Sequence, residues 1–152
     1  MDIISYLMQQ KVEFEHLRHA EKFTAQEIAA AQHVPGRDMV KAVLIKADGK
    51  FILAVLPAIF KINLVKLKDY LGAQKLELAG EDEMRKVFAD VDVGAEPPFG
   101  NLYNVETVVD HHLTTEAKIV FQAGTHTDTV RMRYADYEKL VKPRVARFGD
   151  HI

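Results

Sequence analysis

Hydrophobic and polar positions recur along the chain with two periods, one typical of helices and one typical of strands. Over residues 2–10 the apolar residues recur at helical spacing, which predicts an amphipathic helix. Residues 12–18 alternate between apolar and polar and predict a strand. Thr24 and Glu27 have the spacing of a capping box, which predicts a helix over 25–32. The N-terminal part of the chain is therefore expected to contribute two helices and a strand.

The strongest strand pattern lies in the next segment. Residues 39–47 form a continuous apolar run interrupted by Lys41, which predicts a strand buried on both faces. Asp48-Gly49 is a strong signal for a two-residue hairpin turn, and residues 50–57 return as the partner strand. A hairpin is therefore expected at the centre of the sheet.

The second half of the chain mixes helices and strands without strict alternation. Asn63 predicts the cap of a helix that runs through Leu71 and ends at Gly72. The other predicted elements are strands over 75–78, 105–109, 117–122 and 129–133, a helix over 81–89, and a final helix that contains Tyr134, Tyr137, Leu140 and Val141. This order predicts a mixed α/β (α+β) domain whose sheet is at least partly antiparallel.

Composition limits the classes to which the chain can belong. Its 152 residues suffice for a single domain over 1–152, and 48% hydrophobic with 28% charged residues is globular composition. No apolar run reaches about 18 residues and no basic region opens the chain, so no membrane partner or secretory signal is expected. The absence of cysteine excludes disulfides and thiolate chemistry, and a cytoplasmic location is expected. A net charge of −2 disfavours binding to long duplexes such as DNA, but a few local cations can still bind a terminal nucleic-acid feature.

Two polar features interrupt the apolar pattern. Lys41 either extends its ammonium into water from the strand's end or projects into a cavity that holds an anion. Gly124, Thr125 and His126 form a turn between two predicted strands. That turn is either a solvated hairpin or a set of backbone amides that face an oxyanion or phosphate, with His126 as a proton carrier or hydrogen-bond donor.

The segment VDVGAEPPFGNL is unusually stiff for a connection that follows a helix. Gly94 and Gly100 allow the backbone to approach a ligand, while Pro97 and Pro98 fix φ and lower the entropy of the free loop. Phe99 offers an apolar or stacking surface. The loop is therefore either one wall of a pocket or a rigid connection between a helix and a strand.

Asp110, His111 and His112 are the densest group of potential metal ligands. We place them on a strand, where adjacent side chains point to opposite faces, so no metal site is expected. A metal-dependent hydrolase that uses these residues or His126 is the less favoured alternative.

Taken in order, these motifs resemble a known family. TAQEIAAAQHV, VKAVLI with Lys41, GAEPPFG over 94–100 and the late Gly-Thr-His turn over 124–126 are similar to the YbaK-like, prolyl-tRNA synthetase-associated editing domains. The resemblance extends roughly from residue 12 to 141. It implies a mixed α/β domain with a curved, largely antiparallel sheet around a pocket.

The resemblance also implies a function, that of a free-standing deacylase that acts on the aminoacylated 3′ end of a mischarged tRNA. A small amino acid on tRNA for proline is the expected substrate, with no cofactor and with a synthetase as a possible docking partner. Lys41 and His126 are then the expected catalytic residues. The expected substrate-binding residues are Gly94, Pro98, Phe99, Gly100, Gly124 and Thr125. Many relatives carry a leucine-like residue at the position of Phe99.

Such an ester has a good leaving group, so a positioned water and a stabilised oxyanion suffice and no protein nucleophile is needed. The main alternative is a binding module of the same shape that holds a nucleotide or a charged tRNA end without cleaving it.

Overall fold

The computed structural model describes residues 2–18 and 35–152. Its four α-helices in those ranges are α1 (Ile3–Gln9), α2 (Leu64–Leu71), α3 (Glu81–Val87) and α4 (Tyr134–Val141). The strands are β1 (Phe14–Arg18), β2 (Val40–Ala47), β3 (Lys50–Pro57), β4 (Phe60–Ile62), β5 (Leu76–Leu78), β6 (Glu106–Asp110), β7 (Lys118–Gln122), β8 (Asp128–Arg133), β9 (Arg144–Ala146) and β10 (Gly149–His151). Short 3₁₀ helices occupy Gly100–Leu102 and His111–Thr115. The helix predicted over 25–32, with its capping box, lies outside the described residues.

The predicted central hairpin is confirmed. Strands β2 and β3 pair antiparallel from Val40 opposite Pro57 to Ala47 opposite Lys50. Asp48 and Gly49 take φ values of 51° and 84°, as a two-residue turn with left-handed backbone requires. This pair of strands forms the middle of the largest sheet.

The strands form a five-stranded sheet in the order β5-β2-β3-β6-β9, a three-stranded sheet in the order β1-β8-β7, and the pair β10-β4. Most neighbours are antiparallel, but β3 with β6 and β6 with β9 are parallel. The mixed α/β class with a largely antiparallel sheet is therefore confirmed.

Two hydrophobic cores cover the two faces of the five-stranded sheet, because successive side chains on a strand point to opposite sides. On one face, Leu44 and Leu53 pack in a core that includes residues of α1, α4 and the three-stranded sheet. On the other face, Ile45 packs in a core with Leu67 of α2 and with Phe148. This division decides which functional residues share a face of the sheet.

The C-terminal segment is more ordered than the sequence pattern indicated. Strand β10 pairs with β4, and β9 pairs with β6. Of these four strands only β6 was predicted from the sequence. The buried carboxylate of Asp110 accepts hydrogen bonds from the amides of Phe148 and Gly149 at 3.1 and 2.7 Å, which fixes this segment against the sheet. None of the helices in the described ranges is long and apolar enough to cross a membrane.

Candidate functional site

The glycine-proline loop and the Gly-Thr-His turn lie directly against each other. The Gly124 amide donates to the Ala95 carbonyl at 2.9 Å, and the Asp92 amide donates to the Gly124 carbonyl at the same distance. Gly94 and Gly124 have φ values of 89° and 93°, a region that L side chains rarely adopt. Both glycines are thus required by backbone conformation at the junction of the two segments, which we call the loop–turn junction (residues 92–96 and 124–126).

His126 is positioned by the same junction. Its Nε2 lies 2.9 Å from the Val93 carbonyl oxygen, which indicates the tautomer that carries a proton on Nε2. A Cβ added at Gly94 would lie 3.5 Å from Cε1 of the His126 ring. The imidazole therefore lies beside the exposed backbone of Gly94 and is partly accessible itself.

The second half of the loop is anchored in the core. The Pro98 carbonyl accepts a 2.6 Å hydrogen bond from the buried hydroxyl of Tyr137. The Gly100 amide donates to Oγ1 of Thr107 at 3.1 Å, and an added Cβ at Gly100 would approach that oxygen to 2.5 Å. Gly100 is therefore required by close packing within the protein rather than by the approach of a ligand.

Phe99 does not offer the stacking surface expected from the sequence. Its side chain is fully buried, and its ring packs against the rings of Tyr6, Phe121 and Tyr137 at centroid distances of 6.0, 5.4 and 5.1 Å. An aromatic ring packed among other rings gains more from burial than from exposure to solvent. Phe99 holds the loop in place, and a direct contact with substrate would require the core to open.

The turn is also braced by a polar network, whose link to β1 was not predicted from the sequence. Thr125 Oγ1 donates to Asp128 at 2.6 Å, and Asp128 also binds His16 at 2.8 Å and Arg18 at 3.1 Å. Burial alone would raise the pKa of Asp128, but the hydrogen bonds from Thr125 and His16 outweigh it and lower that pKa. Side-chain hydrogen bonds such as those of Asp128 are common in solvated hairpins, so this network alone does not indicate a ligand.

Lys41 lies half-buried on β2, opposite Leu56 in the register. It lines a cavity of about 270 Å³. The residues around that cavity are Lys41, Val43, Lys61, Ile62, Leu64 and Leu78. Burial lowers the pKa of the Lys41 ammonium, and no acid in the described ranges forms an ion pair with it. The lysine thus lines a cavity that combines two ammonium groups with apolar walls, and the anionic partner of the sequence-based interpretation stays a prediction.

Lys41 and the loop–turn junction do not share a face of the sheet. Lys41 alternates with Val43 and Ile45 and so belongs to the face of the second core, whereas Phe99 belongs to the first. The start of β2 is nevertheless close to β7, because Met39 forms a bridge with Val120. The structure therefore brings the loop and the turn together and places Lys41 in a separate cavity.

The placement of the Asp110-His111-His112 group on a strand was wrong. The strand ends at Asp110, and the two histidines begin a 3₁₀ helix, where their rings stack at a centroid distance of 4.0 Å. The ligand atoms of all three residues lie within 4.8 Å of one another. The Asp110 oxygens, however, accept four N–H groups, from Phe148, Gly149, the His112 amide and the His112 ring. These bonds use the acceptor positions of the carboxylate, which favours a structural role for it.

Comparisons with known proteins agree on one family. The family model of the aminoacyl-tRNA editing domain matches residues 19–140. The prolyl-tRNA editing protein ProX of Acetoanaerobium sticklandii is 29% identical over 92% of this chain and 88% of its own length. The proline–tRNA ligase of Streptococcus thermophilus is 30% identical over 83% of this chain, which spans about a fifth (22%) of that enzyme's length.

Two solved structures share the fold. The protein APE2540 has a TM-score of 0.88 with 20% identity, and the alignment covers 97% of this chain and 99% of that one. A candidate trans-editing enzyme for prolyl tRNA synthetase has a TM-score of 0.84, also with 20% identity, over 97% and 94% of the two chains. At such identity these likenesses support the architecture alone. Since the family model matches most of its length, the chain belongs to the aminoacyl-tRNA editing domain family, as the YbaK-like resemblance indicated.

Proposed function

We propose that this protein is a trans-acting aminoacyl-tRNA deacylase, which hydrolyses the ester of a small amino acid wrongly attached to tRNA for proline. The loop–turn junction carries the proposal, because it joins the two motifs of the family through two backbone hydrogen bonds of 2.9 Å. Similarity to the ProX editing protein over most of both chains supports action in trans. No cofactor is required, and the tRNA's place in translation favours the cytoplasm.

Only a backbone amide that does not already donate within the protein can bind the substrate carbonyl. The amides of Gly94, Gly100 and Gly124 already donate to acceptors within the protein. The Thr125 amide, in contrast, has no acceptor within the part of the chain that the structure describes. We assign it as the donor to the developing oxyanion, where one such donor is typically worth about 100- to 1,000-fold in rate.

His126 lies next to that amide in the chain and orients the attacking water or the substrate. Its ring is held by the Val93 carbonyl at 2.9 Å, which fixes the orientation of the imidazole. The 3′-terminal ribose of the tRNA supplies the leaving hydroxyl, so water and a stabilised oxyanion complete the reaction without a protein nucleophile.

Lys41 binds the phosphate side of the same tRNA end. Its cavity contains a second cation, Lys61, and the two ammonium groups favour an anion. We propose that one aminoacylated tRNA end contacts both regions, with its phosphates at the Lys41 cavity and its ester at the loop–turn junction.

Deacylation is tested with a panel of mischarged tRNAs at protein concentrations far below substrate. A deacylase releases many amino acids per protein molecule and prefers a small amino acid on tRNA for proline. A binding module of the same fold retains the charged tRNA and releases none above the spontaneous rate. The same assay with a chelator distinguishes the metal-dependent alternative, in which Asp110, His111 or His112 holds an ion and activity disappears.

Size exclusion is the expected source of selectivity. A small cavity rejects bulky amino acids sterically, whereas amino acids that differ by one carbon differ by only about 1–3 kcal/mol in transition-state binding. Docking to a prolyl-tRNA synthetase would deliver the tRNA, and co-sedimentation of the two proteins with tRNA tests that partnership.

A further inference from the structure

Behind the exposed backbone of Gly94 lie two buried acceptors to which the reaction above gives no role. Glu96 is only 6% exposed, and its carboxylate accepts the Gly94 amide at 2.8 Å. Gln122 is 8% exposed, and its side-chain amide donates to the Gly94 carbonyl at 3.1 Å. The two side chains thus bind the two sides of the same residue, and Gly94 itself is open to solvent.

The acceptor capacity of this pair is incompletely used. Because the Gln122 nitrogen faces a carbonyl, the orientation of the side-chain amide is fixed, and its Oε1 is buried without a hydrogen-bond donor among the residues that the structure describes. Glu96 receives the Gly94 amide and its own amide, while an ionised carboxylate has about four acceptor positions. An orphaned buried acceptor costs free energy in the empty protein, and a ligand that donates to it recovers that cost.

The charge of the pair is also uncompensated. No lysine or arginine in the described ranges forms an ion pair with Glu96. Burial raises the pKa of Glu96, against the opposing effects of the Gly94 hydrogen bond and of nearby His126. A cationic ligand would stabilise the ionised carboxylate, and one with several N–H donors would also satisfy Gln122.

We propose that Glu96 and Gln122 form a subsite for the α-ammonium group of the aminoacyl ester, beside Gly94 and His126. This inference rests on the proposed function and names the part of the substrate that the pocket recognises. An α-ammonium has three N–H donors and one positive charge, which match the open acceptors and the buried carboxylate. The subsite selects esters with a free amine and rejects those with an acylated amine, such as the ester of a peptide to tRNA.

The test uses the wild-type protein first. Deacylation of alanyl-tRNA is compared with deacylation of N-acetylalanyl-tRNA on the same tRNA. We expect kcat/KM to favour the free amine by at least about tenfold, as expected for a lost charge-assisted hydrogen bond. Glu96→Gln is expected to remove most of that preference by slowing only the free-amine substrate. Glu15→Gln, which removes an exposed carboxylate on β1, is the matched control and should keep the preference.

Binding separates a failure of this inference from a failure of the proposed function. The probes are 3′-deoxy-3′-(L-alanylamino)adenosine, which cannot be hydrolysed as an ester, and its N-acetyl derivative, both followed by calorimetry. A preference for the free amine that Glu96→Gln removes supports the subsite even if no ester is cleaved. Equal binding and equal cleavage of free and acetylated forms overturn it, and so does a preference that Glu96→Gln leaves unchanged. If Glu96→Gln fails to fold by circular dichroism, Gln122→Leu must show the same loss, and a retained preference in that variant overturns the inference.

Discussion

At the scale of single residues, Gly124 shows how backbone conformation and the candidate site depend on each other. Its φ of 93° excludes most side chains, and an added Cβ would also lie 3.2 Å from Cγ1 of Val91. Gly49 has a comparable φ of 84°, but no heavy atom of the described ranges lies within 4 Å of its added Cβ, and it lies in the hairpin turn far along the chain. The two glycines therefore share a conformational requirement and differ in their surroundings.

We expect Gly124→Ala and Gly49→Ala each to lower the free energy of unfolding by about 1–2 kcal/mol, because both force alanine into left-handed backbone. Only Gly124→Ala should also slow deacylation, by at least about tenfold, because it displaces the turn that holds Thr125 and His126. Urea denaturation and initial rates on the same preparations measure both effects. Equal deacylation rates of the two variants would show that the turn over residues 124–126 is not part of the active site.

Lys41 permits a second test at this scale. Lys41→Ala should reduce deacylation by at least about 100-fold while leaving the fold intact, because the tRNA phosphate loses its cation. Lys46→Ala is the control. Lys46 lies near the other end of β2 and pairs with Glu83, so this variant should keep its activity. Rates at two salt concentrations report the charge contribution. Unchanged turnover of Lys41→Ala would exclude the lysine from the mechanism.

At the scale of elements, the loop depends on α4. The hydroxyl of Tyr137 is fully buried and donates to the Pro98 carbonyl, so the last helix holds the middle of the loop. Burial raises the pKa of Tyr137 well above its usual value, which keeps the hydroxyl protonated as a donor. The rigidity that the prolines indicated thus has a second source in tertiary structure.

Tyr137→Phe leaves the Pro98 carbonyl buried without its donor. We expect a loss of about 1–3 kcal/mol in the free energy of unfolding, together with faster hydrogen exchange of the loop amides. Tyr103→Phe, which removes a hydroxyl bound to Asp90 at 2.8 Å near the surface, should cost less. A Tyr137→Phe variant as stable as wild type would show that the hydrogen bond from Tyr137 does not stabilise the loop.

Elements with local signals were predictable from the sequence. Asn63 caps α2 by accepting the Lys66 amide, and Gly72 ends that helix in left-handed backbone, as predicted. Strands β4, β9 and β10 were missed because their pairing depends on residues far away in the chain, which no local pattern shows. The 3₁₀ helix after Asp110 was missed because the preceding strand pattern gives no sign of where it ends.

At the scale of the whole molecule, the five-stranded sheet separates two candidate regions, the Lys41 cavity and the loop–turn junction. The loop–turn junction was predictable as a pair of motifs, but sequence periodicity could not show that Lys41 lies on the other face. The sequence also did not single out Glu96 and Gln122, because their burial beside Gly94 is a property of the tertiary structure. Tertiary placement, which no local pattern encodes, decides both cases.

Asp110 connects the sheet to the C-terminal segment, and its titration should appear in the stability of the whole chain. Burial would raise its pKa, but hydrogen bonds from His112, Gly149 and Phe148 outweigh burial and lower the pKa below the unfolded value of about 3.9. The native state therefore favours the ionised form. Its contribution to stability is fully present above pH 4 and is lost as the pH falls through the lower folded pKa.

Asp110→Asn should accordingly unfold at lower urea concentration than wild type at pH 7, and the difference should shrink below pH 4. Asp69→Asn, on the exposed surface of α2, is the control and should follow the wild-type curve. A wild-type advantage that stays constant down to pH 2 would contradict the assigned hydrogen bonds.

The most direct test of the central claim is the release of alanine from alanylated tRNA for proline by catalytic amounts of the wild-type protein. We expect many alanines released per protein molecule, at a rate well above spontaneous hydrolysis and unaffected by a chelator. Release that stays at the spontaneous rate, while the protein is folded and binds the charged tRNA, would contradict the account and leave a binding module in its place.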